Sequence, residues 1–233
     1  MIYHWAALPS FFMRFSGLKD LNDRQPSTDI AAMKLYILFA IKVRTHGNKG
    51  AVSLSYDELT EMAGLSRTLV SKGLKRLFTL NLIIVTGVRK KYYSLKSHTT
   101  YKGWTKIPLK PLIDDKGNIS VFSSFRNRYD YELNALILYL YLLYARSNND
   151  YYTEVSYATI YERTDIGFSK IDSALSFLKA TGLLLDRQIT DSSLKLYPLR
   201  DDHLQVYRYT LLGGNYLTRG SFTKEEVQDK AAN

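Results

Sequence analysis

The sequence contains no cysteine. A disulfide framework and a thiolate-ligated metal site are therefore excluded, and a reducing, intracellular compartment suits the chain. No run of 18 or more apolar residues occurs, so no membrane-spanning helix is expected. The N-terminal stretch MIYHWAALPSFFMRF is apolar, but it lacks a basic leading segment and Pro9 interrupts it early; it is not expected to be a secretion signal. Catalytic signatures are equally scarce. The four histidines (His4, His46, His98, His203) are scattered, with none paired at metal-ligand spacing. The segment HGNKG at 46–50 is too short for a phosphate-binding G-x-x-x-x-G-K-[ST] loop, no nucleophile elbow occurs, and Asp114–Asp115 beside Lys116 and Gly117 reads as a turn. No catalytic residue, metal or cofactor is expected, and the chain is not expected to be an enzyme.

What the sequence does have is apolar mass and positive charge. Of its 233 residues, 45% are hydrophobic and 13% aromatic, enough to build packed cores. The net charge is +10, and its placement is uneven. Residues 1–100 hold 15 Lys/Arg against 6 Asp/Glu, residues 101–200 hold 13 against 11, and residues 201–233 hold 4 against 5. A basic first part favours a polyanion such as nucleic acid, through counterion release.

The chain also repeats itself. Shifted by 101 residues, the segment 54–83 lies over 155–184 without a gap. Ser55 falls on Ser156, Tyr56 on Tyr157, Glu61 on Glu162, Leu74 on Leu175, Leu77 on Leu178 and Leu82 on Leu183. The apolar stretch 31–41 falls on 132–142, and Trp5-Ala-Ala-Leu-Pro9 matches Trp104-Thr-Lys-Ile-Pro108 at a shift of 99. Preservation of the apolar pattern over such a length indicates an internal duplication. The expected division is 1–100, 101–212 and a polar tail, 213–233, that is mobile or loosely helical.

In the first copy, Ile30–Val43 is densely apolar and predicts a central buried helix; THGNKG is a turn, and AVSLS alternates as a short strand. Ser55 and Glu58 have the spacing of a capping box. Leu59 and Met62–Ala63 form that helix's inner face, Gly64 makes a turn, Leu65 plugs the core and Ser66 caps a second helix. Leu69, Val70, Gly73, Leu74 and Leu77 share one face of it. It ends at Asn81, matched by Gly182 in the second copy, and both residues tolerate the left-handed conformation that follows a helix end. Leu82–Val85 is a strand, 87–91 a turn and Tyr92–Leu95 a return strand.

The segment S-x-x-E-L-x-x-x-x-G-L-S-x-x-x-V-x-x-x-L-x-x-L at 55–77, with the strand pair after it, resembles the winged helix-turn-helix family of DNA-binding proteins. Residues 53–95 are the unit that carries the resemblance most specifically. The fold it implies is mainly α with small β wings (α+β): two tandem winged helix-turn-helix domains related by duplication. The function it implies is binding of double-stranded DNA, with the second helix in the major groove. On that reading Ser66, Arg67, Thr68, Ser71 and Lys72 face bases or phosphates, and Lys75 and Arg76 suit phosphates. Arg89, Lys90 and Lys91 at the wing tip follow the backbone or enter the minor groove. The plain alternative is a solvated basic face.

The second copy offers Ser169, Lys170 and Ser173, but also Asp172, and its expected wing at 186–194 sets Asp186 and Asp191 beside Arg187. It either contacts DNA more weakly or serves as a protein-interaction or dimerisation module. The tyrosines of 131–144 read as core or interface rather than as platforms for unpaired bases. The tandem arrangement resembles plasmid and phage replication initiators, which implies a homodimer or multimer on repeated sites, a replication or regulatory protein as partner, no membrane partner and a cytoplasmic location on nucleoid or plasmid DNA. A transcriptional regulator of a mobile element and a nucleoprotein adaptor remain the alternatives.

Overall fold

A computed structural model describes residues 4–14, 17–21, 25–48, 50–96, 103–147, 149–190 and 202–217. Helix and sheet are mixed. In chain order the elements are β1 (Trp5–Pro9), α1 (Phe11–Arg14), α2 (Pro26–His46), β2 (Ala51–Val52), α3 (Tyr56–Ala63), α4 (Arg67–Thr79), β3 (Ile83–Thr86) and β4 (Tyr92–Leu95). They continue as β5 (Trp104–Pro108), α5 (Asp130–Ala145), β6 (Tyr152–Ser156), α6 (Tyr157–Thr164), α7 (Phe168–Ala180), β7 (Leu184–Ile189) and β8 (Val206–Leu211). The order helix, strand, helix, helix, strand, strand from α2 to β4 recurs from α5 to β8. The two three-stranded antiparallel sheets, β2-β4-β3 and β6-β8-β7, share one topology, with the last strand in the middle.

The matched Trp-Pro segments, β1 and β5, pair with each other as an antiparallel ribbon in the register Trp5↔Pro108, Ala7↔Lys106 and Pro9↔Trp104. Each Trp-Pro segment is thus laid head to tail on its counterpart. The two indole rings stack at 5.1 Å and 3°. Ala6, Leu8, Thr105 and Ile107 turn their side chains inward. The Tyr36 hydroxyl of α2 donates to the Pro9 carbonyl at 2.8 Å, and the Thr105 hydroxyl donates to Leu143 of α5 at 2.8 Å.

Helices α2 and α5 pack on one another at the centre. Each is buried almost all round, which is why neither has a marked polar face. Pro26 starts α2 at a position where its missing N–H costs nothing, so the helix begins four residues before the apolar run and ends three after it. Against α2 lies α4, and against α5 lies α7. The α2–α4 approach is close because position 73 is glycine: a Cβ there would stand 2.9 Å from the Ala31 carbonyl carbon and 3.0 Å from Leu35 Cδ1. Its counterpart, Ala174, is fully buried.

Local signals account for the helix ends. Ser55 and Glu58 form both bonds of the capping box. The α3–α4 turn passes through Gly64 at φ 57°, and its counterpart Asp165 has φ 61°. Ser66 caps α4 by accepting from the Leu69 N–H at 3.3 Å. Beyond α4 and α7, Asn81 and Gly182 have φ 59° and 76°, the left-handed geometry expected at both. Leu217 is buried, and its carbonyl accepts from Lys106 Nζ at 2.7 Å. Packed structure therefore reaches past residue 213, where the polar tail was expected to start. The rest of that tail, 218–233, lies outside the described residues.

Candidate nucleic-acid interface

The helix α4 buries Val70, Gly73 and Leu77 and half-buries Leu69 and Leu74. The opposite side presents Ser66, Arg67, Thr68, Ser71, Lys72 and Lys75 to solvent. Arg67 meets one acid, Asp57, at 2.5 Å, but both side chains are exposed, 65% and 79%. An ion pair that open contributes little and exchanges readily with water or a phosphate. The Ser66 oxygen is committed to its cap while its hydroxyl hydrogen remains available for donation.

Arg76 departs from the expected role. Its Nε donates to Asp29 Oδ1 at 2.6 Å, its terminal nitrogen donates to the Asp20 carbonyl, and the two side chains of the pair are 17% and 1% exposed. The guanidinium ties α4 to the first turn of α2, which removes it from the outward face. Sequence adjacency to Lys75 had suggested a shared role, yet one residue along a helix is a rotation of about 100°, enough to carry Arg76 to the flank.

Beside α4 stands the β3–β4 hairpin. Its turn, 87–91, carries Arg89, Lys90 and Lys91, all exposed. Lys91 Nζ bonds back to the Gly87 carbonyl at 3.0 Å, closing the turn, and Lys90 Nζ stands 5.8 Å from the Tyr92 ring centroid. Val88 at the tip is 89% exposed. Residues 84–86 all face outward, so the hairpin projects beyond the core rather than lying on it.

The second half has the same scaffold and a different face. Ser169, Lys170 and Ser173 are exposed on α7, as expected. Among them Asp172 accepts from the Tyr157 hydroxyl at 2.5 Å and from Arg187 at 3.1 Å, and Arg187 also donates to the Tyr157 oxygen. Burial, reinforced by Asp172, pushes the Tyr157 hydroxyl well above its usual pKa. Asp172 thus answers the positive charge of Arg187. The expected wing at 186–194 is revised. Asp186 and Arg187 lie within β7, which runs to Ile189, and the return strand begins only at Val206. Asp191 falls outside the described residues. Tyr157, Phe168, Asp172, Arg187 and His203 line a hollow of about 630 Å³ here.

One feature of the α3–α4 turn lies beyond the sequence reading. The Gly64 carbonyl accepts from Asn127 Nδ2 at 3.0 Å and from Lys34 Nζ at 3.4 Å. Lys34 is fully buried in α2 and also donates to the Phe122 carbonyl at 3.1 Å and Asn127 Oδ1 at 2.9 Å. Burial lowers its pKa from 10.5 to about 7, with the Glu132 charge opposing the shift. A lysine in the middle of the apolar run Ile30–Ile41 was the available signal; what it reaches, 93 residues on, was not.

Among the described residues no three His, Asp or Glu side chains gather into a metal site, and no helix is long and apolar enough to cross a membrane. Against known proteins, the chain matches no family model and has significant sequence similarity to none of the characterised proteins compared with it.

Proposed function

We propose that this chain is a sequence-specific double-stranded DNA-binding protein made of two tandem winged helix-turn-helix domains, with the first as the main reader. One observation carries the reading. A doubly capped helix pair, α3 and α4, presents an outward face of Arg67, Thr68, Ser71, Lys72 and Lys75, beside a projecting hairpin tipped by Arg89 and Lys90. These are groups that donate to base edges and phosphates, and they stand on the two elements that this architecture offers to DNA. A merely solvated face would need no such agreement between helix and hairpin.

The process served is replication initiation on a plasmid or phage-like element. Two similar halves in one chain, joined by a symmetric ribbon, suit repeated target sequences. A second reading, an adaptor whose second half recruits a protein, draws support from the Asp172–Arg187–Tyr157 cluster, which takes positive charge off the α7 face. A footprint separates initiation from transcriptional regulation: protection of several direct repeats supports initiation, and a single palindrome over a promoter indicates a regulator.

The reader assignment is tested by selecting binding sites from random duplexes with the wild type and with Arg67→Ala/Lys72→Ala. The wild type should yield a consensus and the variant should lose it while keeping salt-dependent affinity. An unchanged consensus would remove α4 from the role.

A further inference from the structure

We infer that the connection Arg126-Asn127-Arg128, which belongs to neither repeat's helix pair, is a third DNA-contacting element that grips a phosphate beside the first reader helix; the inference rests on the DNA-binding reading above. Its first support is position. Asn127 bonds through its side-chain amide to the Gly64 carbonyl, and Gly64 lies two residues before Ser66, the cap of α4. Arg126 and Arg128 flank Asn127, so both are carried to the turn from which Arg67 and Thr68 emerge.

The second support is how firmly the segment is held. On one side Asn127 is pinned by Gly64 and by the buried Lys34. On the other, the buried carboxylate of Glu132 accepts the backbone N–H groups of Arg126, Arg128 and Tyr129. Asn127 adopts φ 61°, a left-handed turn conformation that asparagine accepts more readily than other side chains. A buried lysine and a buried glutamate are each unfavourable alone. Together they fix a short exposed loop whose only long outward side chains are two arginines.

The third support is what those arginines lack. Both are exposed, and neither is ion-paired to a carboxylate among the described residues. The guanidinium of Arg128 stands 5.1 Å from the Tyr129 ring centroid, which steadies it without neutralising it. Guanidinium on a rigid backbone suits a phosphodiester, since its fork matches phosphate oxygens and little loop entropy is lost on contact. The Glu132 carboxylate is buried and held by three backbone donors.

The test compares wild type, Arg126→Ala/Arg128→Ala and Arg126→Lys/Arg128→Lys on the selected duplex and on a scrambled duplex, at several salt concentrations. For the alanine variant, the slope of log affinity against log salt should become shallower by about 1–2, one phosphate per arginine engaged. Affinity should fall by the same factor on both duplexes, because backbone contacts carry no base information. The lysine variant should keep most of the slope. An alanine variant with the wild-type slope overturns the third contact while leaving the reader helix standing. A lost consensus in the alanine variant, with the slope intact, would make these arginines base readers and also overturn the proposal. If the wild type shows no salt-dependent duplex binding, both this inference and the reading beneath it fail together.

Discussion

Replacing Lys34 with methionine isolates one buried charge. The side chain lies in α2 with no solvent exposure, its Nζ surrounded by the Gly64 and Phe122 carbonyls, Asn127 Oδ1 and the faces of Phe122 and Phe125 at 4.9 and 5.4 Å. Its pKa falls from 10.5 to about 7 because burial penalises the ammonium more than Glu132 supports it. That depression corresponds to about 5 kcal/mol between the protonated and neutral forms, at roughly 1.4 kcal/mol per unit. The sign is unusual. Between pH 7 and 10.5 the unfolded chain holds this proton and the folded chain does not. Unfolding free energy therefore rises with pH in that window, by about 1.4 kcal/mol per unit, and the handicap is greatest at and below pH 7. Urea unfolding followed by circular dichroism at pH 7.5, 8.5 and 9.5 reads it directly. From the first to the last point, the wild type should gain about 2–3 kcal/mol relative to Lys34→Met. Lys42, also depressed by burial, contributes the same sign to both proteins and cancels in the comparison. The window stops below pH 10 because burial raises the Tyr36, Tyr139 and Tyr209 hydroxyls, and these lower stability as the unfolded tyrosines ionise. Parallel lines for the two proteins would show that Lys34 folds with its proton on, and the burial argument would be refuted.

Two further substitutions separate support from contact. Arg76→Ala should destabilise the fold by about 3 kcal/mol, because the nearly inaccessible Asp29 carboxylate loses its guanidinium, whereas Lys75→Ala should change stability by no more than about 0.5 kcal/mol and weaken duplex binding instead. Similar urea midpoints for the two variants would return Arg76 to the outward face. Gly73→Ala should cost about 1–3 kcal/mol by forcing α4 away from Ala31 and Leu35; a neutral effect in the same assay would mean that the two helices separate freely.

The local grammar of the fold was legible, because it depends on neighbours in the chain. Ser55 and Glu58 are three apart, so the capping box could be seen in advance, and Gly64, Asn81 and Gly182 stand where the backbone turns left-handed. The apolar pattern placed α2 and α5 at the centre, though it began α2 too late and ended it too early: the first turn from Pro26 and the polar last turn carry no apolar signal. The place of the second return strand, β8, was missed for the reverse reason. Nothing between Ile189 and Val206 marks where a return strand begins. Within the candidate site, exposure of Arg67, Lys72 and Lys75 followed from helical spacing, while the removal of Arg76 required Asp29, 47 residues away. The Lys34–Asn127 contact is longer still and leaves no trace in either segment alone.

On the proposed duplication, the two halves differ in role through their outward faces. Counterparts at a shift of 101 keep the inward faces of α4 and α7: Val70 and Ile171, Gly73 and Ala174, Leu74 and Leu175, Leu77 and Leu178. On the outward face, Arg67, Ser71, Lys72 and Lys75 correspond to Phe168, Asp172, Ser173 and Ser176. Packing demands constrain the first set equally in both halves, so divergence falls on the second. The groups that hold the 126–128 connection break the symmetry in the same direction. Lys34 corresponds to Ala135 and Glu132 to Ala31, so each buried charge exists in one half only. A buried charge is unfavourable without its partners, and the partners here are the first half's turn and the connection between halves. Two copies carrying both charges would pin two connections; this chain has one, directed at the α3–α4 turn. On the proposed reading, the positive outward face belongs to the first half and the pinned connection is bonded to that half's α3–α4 turn, and that coincidence favours one strong DNA-reading half over two equal ones.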